Sequence, residues 1–256
     1  MATVMREALV VAFTVDLEPD CPPFLEGFRG VEQGAPALLD LLASEGIHAT
    51  FFTTGEVASR YPATVARVVG DGHELACHGM THRAFTSLDA GAARSEIEES
   101  AAILRRFGPV TSFRAPYLRF PPAYVELLEQ QAFTLDSSHA KYKLAYYRDR
   151  TPTRLTRVPA SATSSVLRLP GAARAAYLRA LSSPVVLFVH PWEFVDLRRE
   201  RLRLDCRFKT GEIAVRCVRD VLRSYARRGA RFVRMRELAR PASNRDPERR
   251  SRSGAR

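Results

Sequence analysis

The sequence lacks the features that mark several common protein classes. Its 256 residues contain four cysteines, at positions 21, 77, 206 and 217, and none forms a C-x-x-C pair. The first long apolar run, from Leu9 to Val15, is too short to span a membrane and ends at an aspartate. We therefore expect reduced thiols, no signal peptide, no transmembrane helix and a cytoplasmic location. No internal repeat is visible.

Lysine is scarce, because the chain has 36 arginines and only 3 lysines, with a net charge of +11. Basic residues become denser towards the end, in residues 198–203 and again in residues 241–256. The final segment is rich in Pro, Ser and Arg without apolar periodicity, which predicts a disordered basic tail. No nucleic-acid-binding motif with interleaved aromatic residues accompanies the charge. We therefore expect a solvated basic surface and no specific nucleic-acid partner.

Apolar strands alternate with amphipathic helices along the chain. The predicted strands are residues 8–15, 48–54, 74–77, 111–115, 133–136, 155–159, 184–189 and 230–234. The predicted helices are residues 35–43, 57–69, 88–107, 122–131, 171–181 and 210–228. This alternation predicts parallel strands joined by helical crossovers, hence an α/β fold. An open doubly wound sheet and a closed barrel both fit, although no G-x-G-x-x-G loop follows the first strand.

Polar residues with catalytic chemistry lie where predicted strands end. They are Asp16, Glu18, His78, Arg114, Asp136 and His190. Parallel α/β folds place their functional residues at the carboxyl edge of the strands, so we expect these side chains to converge. His78 and His82 are four residues apart, a spacing that lets two imidazoles bind one metal ion. His73 and Glu74 do not complete the H-E-x-x-H pattern of a zinc protease and are expected to support a strand.

Five segments, taken in order, resemble the motif series of a known family. They are Thr14-Val-Asp16-Leu-Glu18, His78-Gly-Met-Thr-His82, Arg114-Ala-Pro-Tyr117, Asp136-Ser-Ser and Val189-His190-Pro-Trp-Glu193. The chain resembles the polysaccharide deacetylases, carbohydrate esterase family 4 with its NodB-like homology domain, from about Leu9 to Leu238. The resemblance implies one distorted (β/α) barrel domain over residues 1–240, with about seven parallel strands. It also implies a hydrolase that removes N-acetyl groups from amino sugars or a related glycan, using a divalent metal ion, with zinc expected.

The resemblance assigns the metal ligands and the general base residue by residue. His78 and His82 match the family's metal histidines, and Glu18 fits the third ligand, with Asp20 as the alternative. Asp16 matches the general base that takes a proton from the attacking water. Strand residues two apart face the same way, so the carboxylates of Asp16 and Glu18 can share one site. Two such carboxylates repel each other unless a cation lies between them, which favours a metal.

The remaining catalytic roles follow from the same resemblance. Arg114 matches the residue that orients the base carboxylate, and the backbone N–H of Tyr117 matches the donor to the developing oxyanion. His190 matches the general acid that protonates the leaving amine. A lone histidine after an apolar strand is otherwise a common core residue. Asp136 would hydrogen-bond near His190 and tune its pKa, or would cap a turn.

Substrate contacts and competing functions stay open at this point. Trp192, the single tryptophan, could stack on a sugar ring, shield the metal from water or pack in the core. Tyr142 lies in the loop predicted for residues 139–154, which is suited to substrate selection. A hydrolase of another C–N bond, in a small amide or a cyclic ureide such as allantoin, is one alternative. A non-catalytic glycan- or anion-binding protein is another, and a homo-oligomer is compatible with each.

Overall fold

The computed structural model describes residues 8–239 of the chain. The strands are β1 (Val10–Leu17), β2 (Thr50–Thr53), β3 (Glu74–Cys77), β4 (Ser112–Phe113), β5 (Leu135–Asp136), β6 (Thr156–Arg157), β7 (Val185–Val189) and β8 (Arg231–Phe232). The α-helices are α1 (Ala35–Glu45), α2 (Gly55–Arg60), α3 (Pro62–Gly70), α4 (Ala90–Leu104), α5 (Val125–Gln130), α6 (Leu144–Arg148), α7 (Gly171–Arg179), α8 (Leu204–Arg207) and α9 (Glu212–Arg227). A π-helical turn, Gly30–Gly34, leads into α1.

The strands form one parallel sheet in the order β6-β5-β4-β3-β2-β1-β7, and β8 pairs with the first two residues of β1. The two ends of this order meet at Ser161. Its backbone N–H donates to the carbonyl of Val186 at 2.8 Å, and its hydroxyl accepts from the Val186 N–H at 2.9 Å. The sheet therefore curls into a distorted barrel, which confirms the predicted fold class and selects the barrel over the open sheet.

Side-chain alternation along β1 separates the outer core from the barrel interior. The residues Val11, Phe13, Val15 and Leu17 pack outward, in a core shared with α1 and α9. Ala12 points inward and packs with Phe52 and Ala76 at the base of the barrel. Thr14 and Asp16 follow on the same inward face and are buried. The interior thus changes from apolar at the base to polar at the mouth.

The observed elements follow the predicted ones closely, with informative differences. Strand β3 has its predicted bounds, and β1 runs two residues further than predicted, so that Asp16 lies within it. The single helix predicted over residues 57–69 is two helices, α2 and α3, because Pro62 cannot donate the backbone hydrogen bond that a continuous helix needs. The predicted loop 139–154 contains the short helix α6.

Some sequence expectations concern features other than the elements themselves. The predicted domain end at residue 240 and the predicted basic tail lie outside the described residues. The four cysteines are free thiols, and Cys77 packs in the core. Among residues 8–239, no helix combines the length and the hydropathy that a membrane crossing requires.

His73 makes the stability of the fold dependent on pH. Its Nδ1 accepts a hydrogen bond from the Ala49 N–H at 3.0 Å, and burial lowers its pKa to about 4. Because the unfolded state binds a proton more readily, the stability present above about pH 6.5 is lost as the pH falls towards 4. When the pH is lowered from 7.5 to 5, we expect the titration of His73 to lower the free energy of unfolding by about 2 kcal/mol. Urea unfolding at both pH values measures the loss.

A matched variant isolates that contribution from those of the other titrating groups. His73→Asn keeps a side-chain acceptor near the position of Nδ1 but carries no titratable group. The variant should therefore lose about 2 kcal/mol less than the wild type over the same pH interval. Equal losses in the two proteins would contradict the assignment to His73.

Candidate active site

The carboxyl ends of the strands surround a cavity of about 400 Å³. The residues that line it include the five predicted as metal ligands, general base and general acid, namely Glu18, His78, His82, Asp16 and His190. They come from β1, from the turns after β1 and β3, and from the turn after β7. The predicted convergence is therefore observed for Asp16, Glu18, His78 and His190, whereas Arg114 and Asp136 do not line the cavity.

Glu18, His78 and His82 form a cluster in which one ligand atom of each residue lies within 4.8 Å of the others. The Oε2 atom of Glu18 is 3.2 Å from Nε2 of His78 and 2.7 Å from Nε2 of His82. All three side chains are buried. Burial opposes the ionisation of Glu18, but the charges of His82 and His190 outweigh it and hold the pKa of the carboxyl well below its usual range.

The imidazole of His78 is oriented as a metal ligand requires. Its Nδ1 lies 2.7 Å from the carbonyl oxygen of Arg114, which has no proton to donate. Nδ1 therefore carries a proton, and Nε2 is the ring nitrogen that faces Glu18. Two imidazole nitrogens and one carboxylate are a donor set that binds divalent transition metals. The residues present thus fit a divalent ion.

Asp20, the alternative third ligand, accepts two backbone hydrogen bonds instead. Its Oδ1 accepts from the backbone N–H of Gly30 at 2.7 Å, and its Oδ2 accepts from the N–H of Arg29 at 2.9 Å. These bonds hold the start of the π-helical turn. A side chain at Gly30 would collide with the backbone of Trp192, so glycine allows this turn to pack beside the residues that follow β7. The geometry favours Glu18 over Asp20 as the ligand.

Asp16 and Arg114 form a buried ion pair inside the barrel. Nη1 of Arg114 lies 2.5 Å from Oδ1 of Asp16 and donates to the hydroxyl of Thr14 at 2.8 Å, while Nη2 donates to Ser137 at 3.0 Å. The guanidinium also lies over the ring of Phe52, 4.1 Å from its centroid. A guanidinium held through both of its Nη atoms and against an aromatic ring has one orientation, so the position of the Asp16 carboxylate is fixed.

The predicted hydrogen bond between Asp136 and His190 is wrong. Asp136 Oδ1 accepts from the N–H of Ser138 at 2.9 Å, and its Oδ2 lies 3.8 Å from Arg157 and 3.9 Å from His139. Asp136 ends β5, which pairs with β4 and β6, whereas His190 follows β7 beside β1. Asp136 therefore organises its own turn, as the capping alternative stated, and Ser137 in that turn supports Arg114.

The partner of His190 is Glu193, three residues further along the chain. Oε1 of Glu193 lies 2.8 Å from Nδ1 of His190 and 2.9 Å from its backbone nitrogen. Nε2 of His190 lies 3.8 Å from Oε1 of Glu18. Burial lowers the pKa of His190, but the carboxylates of Glu18, Glu193 and Asp16 outweigh it and raise the pKa to about 9. The ring is thus held ready to donate a proton.

Trp192 contacts both the metal-ligand cluster and His190. Its indole stacks on the imidazole of His190, with centroids 4.8 Å apart, and its Nε1–H donates to Glu18 at 3.3 Å. The side chain is only 5% exposed. This arrangement favours the shielding interpretation over stacking on a sugar ring.

The turn after β4 places Tyr117 at the cavity, where its ring lies 4.8 Å from that of His82. Tyr117 has a left-handed backbone, with φ of 61°. The same holds for His82, Cys21 and Leu118, which also line the cavity. Left-handed conformations are costly for residues other than glycine and concentrate at functional sites.

Tyr142 also lines the cavity, as does its neighbour Lys143. Burial raises the pKa of the Tyr142 hydroxyl to about 12, so the side chain stays neutral at physiological pH. Nζ of Lys143 donates to the carbonyl oxygen of Tyr117 at 2.8 Å. This bond joins the 139–154 segment to the turn after β4, and the substrate role of Tyr142 stays a prediction.

Glu193 and Arg168 were not assigned from the sequence. Glu193 lies three residues after His190, just beyond the predicted strand 184–189, and this short spacing could have indicated a local partner. Arg168 gave none, since it lies 25 positions before Glu193 and contacts it only through the fold.

Comparison with known proteins agrees with this geometry. The family profile described as polysaccharide deacetylase matches residues 5–135, just over half of the chain. The peptidoglycan-N-acetylglucosamine deacetylase of Bacillus cereus is 30% identical over 121 residues, which cover 47% of this chain and 38% of that protein. The chain matches about two fifths of the length of such curated relatives.

Solved structures share the fold. The crystal structure of a peptidoglycan N-acetylglucosamine deacetylase has a TM-score of 0.61 at 20% identity, covering 91% of this chain and 89% of that one. A family 4 carbohydrate esterase pseudoenzyme from Bacillus anthracis has a TM-score of 0.63 at 13% identity, covering 91% and 66%. These likenesses concern the fold alone, and a pseudoenzyme among them shows that the fold does not ensure activity. On the profile match, joined with the motif residues gathered at one barrel mouth, the chain belongs to the polysaccharide deacetylase family.

Proposed function

We propose that this chain is a metal-dependent hydrolase that removes N-acetyl groups from the amino sugars of a glycan. One observation carries the proposal: the Glu18, His78 and His82 cluster shares a cavity with the Arg114-bound carboxylate of Asp16 and with His190. A Bacillus cereus relative named as a peptidoglycan-N-acetylglucosamine deacetylase supports an acetylated amino sugar as substrate.

Glu18, His78 and His82 would hold the ion. When bound, a divalent ion supplies Lewis acidity, which polarises the acetamide carbonyl and lowers the pKa of water. Zinc is the proposed ion because it accepts imidazole and carboxylate ligands together. Other first-row divalent ions accept the same donors, so metal analysis forms part of the test.

Asp16 acts as the general base in this proposal. Arg114 holds its Oδ1, so the carboxylate faces the cavity in one orientation. A fixed carboxylate within reach of a water accepts its proton as the water attacks the acetamide carbon. The backbone N–H of Tyr117, which lines the cavity, is the proposed donor to the oxyanion.

His190 supplies the proton to the leaving amine. The C–N bond breaks, its electron pair stays on the amine nitrogen, and the proton moves to that nitrogen from Nε2. Nε2 lies on the cavity side of the ring, since Nδ1 is engaged by Glu193. An amine is a poor leaving group without this proton, so an oriented acid contributes directly to the rate.

The rim of the cavity supports a sugar as the ligand. Phe24, Tyr117 and Tyr142 line it and are 50%, 39% and 40% exposed. Exposed aromatic rings pack against the apolar faces of sugars, and a small cyclic ureide would leave these rings uncovered. A cytoplasmic location and a soluble precursor as substrate are parts of this proposal that rest on the sequence alone.

Acetate release tests the function directly. The protein is stripped with a chelator and reloaded with zinc, and each form is incubated with N-acetylglucosamine oligomers, a small acetamide and allantoin. We expect acetate from the oligomers by the zinc-loaded protein, and a loss of more than about 10²-fold in the stripped protein. Turnover of allantoin alone would favour the ureide hydrolase. Oligomer binding without acetate release would favour the non-catalytic glycan-binding protein.

A further inference from the structure

A buried ion pair lies behind His190, on the side away from the cavity. Oε2 of Glu193 is 3.0 Å from Nε of Arg168, and both side chains are at most 2% exposed. The other carboxylate oxygen, Oε1, faces Nδ1 and the backbone nitrogen of His190. The three residues thus form a row from guanidinium to carboxylate to imidazole, which ends at the cavity.

Arg168 also holds part of the cavity wall. Its Nη2 donates to the carbonyl oxygen of Asp205 at 2.8 Å, and its Nη1 donates to those of Cys206 and Phe208. Asp205, Cys206 and their neighbour Arg203 line the cavity. One buried guanidinium therefore fixes both the partner of His190 and the segment around α8.

The chemistry of this row sets the orientation of the imidazole. Neighbouring charges from Arg168 and His190 outweigh burial and lower the pKa of Glu193, so its carboxylate is ionised and only accepts hydrogen bonds. Nδ1 of His190 must then carry a proton, and Nε2 is left to face the cavity. A buried carboxylate is stable only where an opposite charge compensates it, and Arg168 supplies that charge to Glu193.

We propose that Glu193, anchored by Arg168, is a positioning residue that fixes the His190 ring for proton donation to the leaving amine. This inference rests on the proposed deacetylase function. It gives Glu193 the part that the sequence analysis gave to Asp136. Neither residue of the anchoring pair touches the substrate, and both act through His190.

Two substrates with different leaving groups separate positioning from a structural role. An N-acetylglucosamine oligomer loses an amine, which needs a proton, whereas 4-nitrophenyl acetate loses a phenolate when its C–O bond breaks, which needs none. We expect Glu193→Gln to lower kcat on the oligomer on the order of 10²-fold, with KM unchanged. Its kcat on the ester should stay within about threefold of the wild type. Equal losses on both substrates, or no loss on either, would overturn the proposal.

A double variant checks that Glu193 acts through His190. His190→Ala should reproduce the selective loss on the oligomer, and adding Glu193→Gln should lower kcat no further. Independent losses that multiply would overturn the proposal. Arg168→Ala should show the same selectivity together with a higher KM, because the wall segment is released, and millimolar ethylguanidinium should restore part of its kcat. A thermal melt of each variant identifies any that fails to fold.

The ring itself provides a readout that needs no turnover. In ¹H–¹⁵N spectra of the imidazoles, the wild type should show a protected Nδ1 proton that is absent from His190→Ala and is lost or shifted in Glu193→Gln. Absence of that proton in the wild type would overturn the positioning role. Absence of acetate release by the wild type, with the Nδ1 proton present, would instead overturn the proposed function.

Discussion

Replacing His78 with alanine is expected to abolish both metal binding and turnover. The imidazole is 1% exposed, Arg114 O fixes its Nδ1, and its Nε2 meets the Glu18 carboxylate at 3.2 Å. A two-ligand remnant cannot hold a divalent ion at micromolar concentration, so kcat should fall by about 10³-fold or more. Metal content by plasma mass spectrometry and acetate release from N-acetylglucosamine oligomers measure the two losses.

A second histidine provides the matched control for this experiment. His48 is exposed and lies near His73, at the opposite end of the barrel strands from the cavity. His48→Ala should keep one equivalent of metal and wild-type turnover, whereas His82→Ala should behave as His78→Ala does. If His78→Ala binds as much metal as His48→Ala, the Glu18 cluster is not the metal site.

The positions of the catalytic candidates could be predicted from the sequence because they depend on where each strand begins and ends. Apolar runs identified β1, β3 and β7, and parallel pairing brings the ends of such strands to one edge. The alternation of a strand also implied that Asp16 and Glu18 share a face, and both line the cavity. These inferences need only the direction of each strand, and not the order of the strands in the sheet.

Contacts between the ends of neighbouring strands could not be predicted, because the hydrophobic pattern does not give the order of the strands in the sheet. The sequence could not indicate that β7 lies beside β1, with β5 placed between β4 and β6. The pairing of Asp136 with His190 was wrong for that reason. Arg168 was missed on similar grounds, because its partners lie on segments whose approach is set by the closure of the barrel.

The short helices within the loops were the elements hardest to predict from the sequence. Helix α6 spans five residues and α8 spans four, too few for hydrophobic periodicity to be recognised. Both belong to segments that line or hold the cavity wall. The parts of the site that would select a substrate were therefore predicted less well than the parts that would carry out the chemistry.

Replacing Asp16 with asparagine is expected to separate metal binding from catalysis. Asparagine has the same shape and keeps an oxygen for the Arg114 contact, but its amide cannot take a proton from water. Asp16 is not a member of the Glu18, His78 and His82 cluster, so the variant should keep its metal. We expect kcat to fall by about 10²- to 10⁴-fold, as removal of a general base does. Parallel measurements of metal content and acetate release check both parts.

The cost to the fold and the choice of control follow from the same ion pair. Loss of the Asp16 charge leaves the buried Arg114 cation with neutral partners only, so a lower melting temperature is expected. Asp20→Asn is the matched control, because the Asp20 side chain holds the start of the π-helical turn and the variant should keep both metal and turnover. If Asp16→Asn loses as much metal as His78→Ala, then Asp16 is a ligand and the base must be another residue. If Asp20→Asn loses metal while Glu18→Gln keeps it, the third ligand is Asp20.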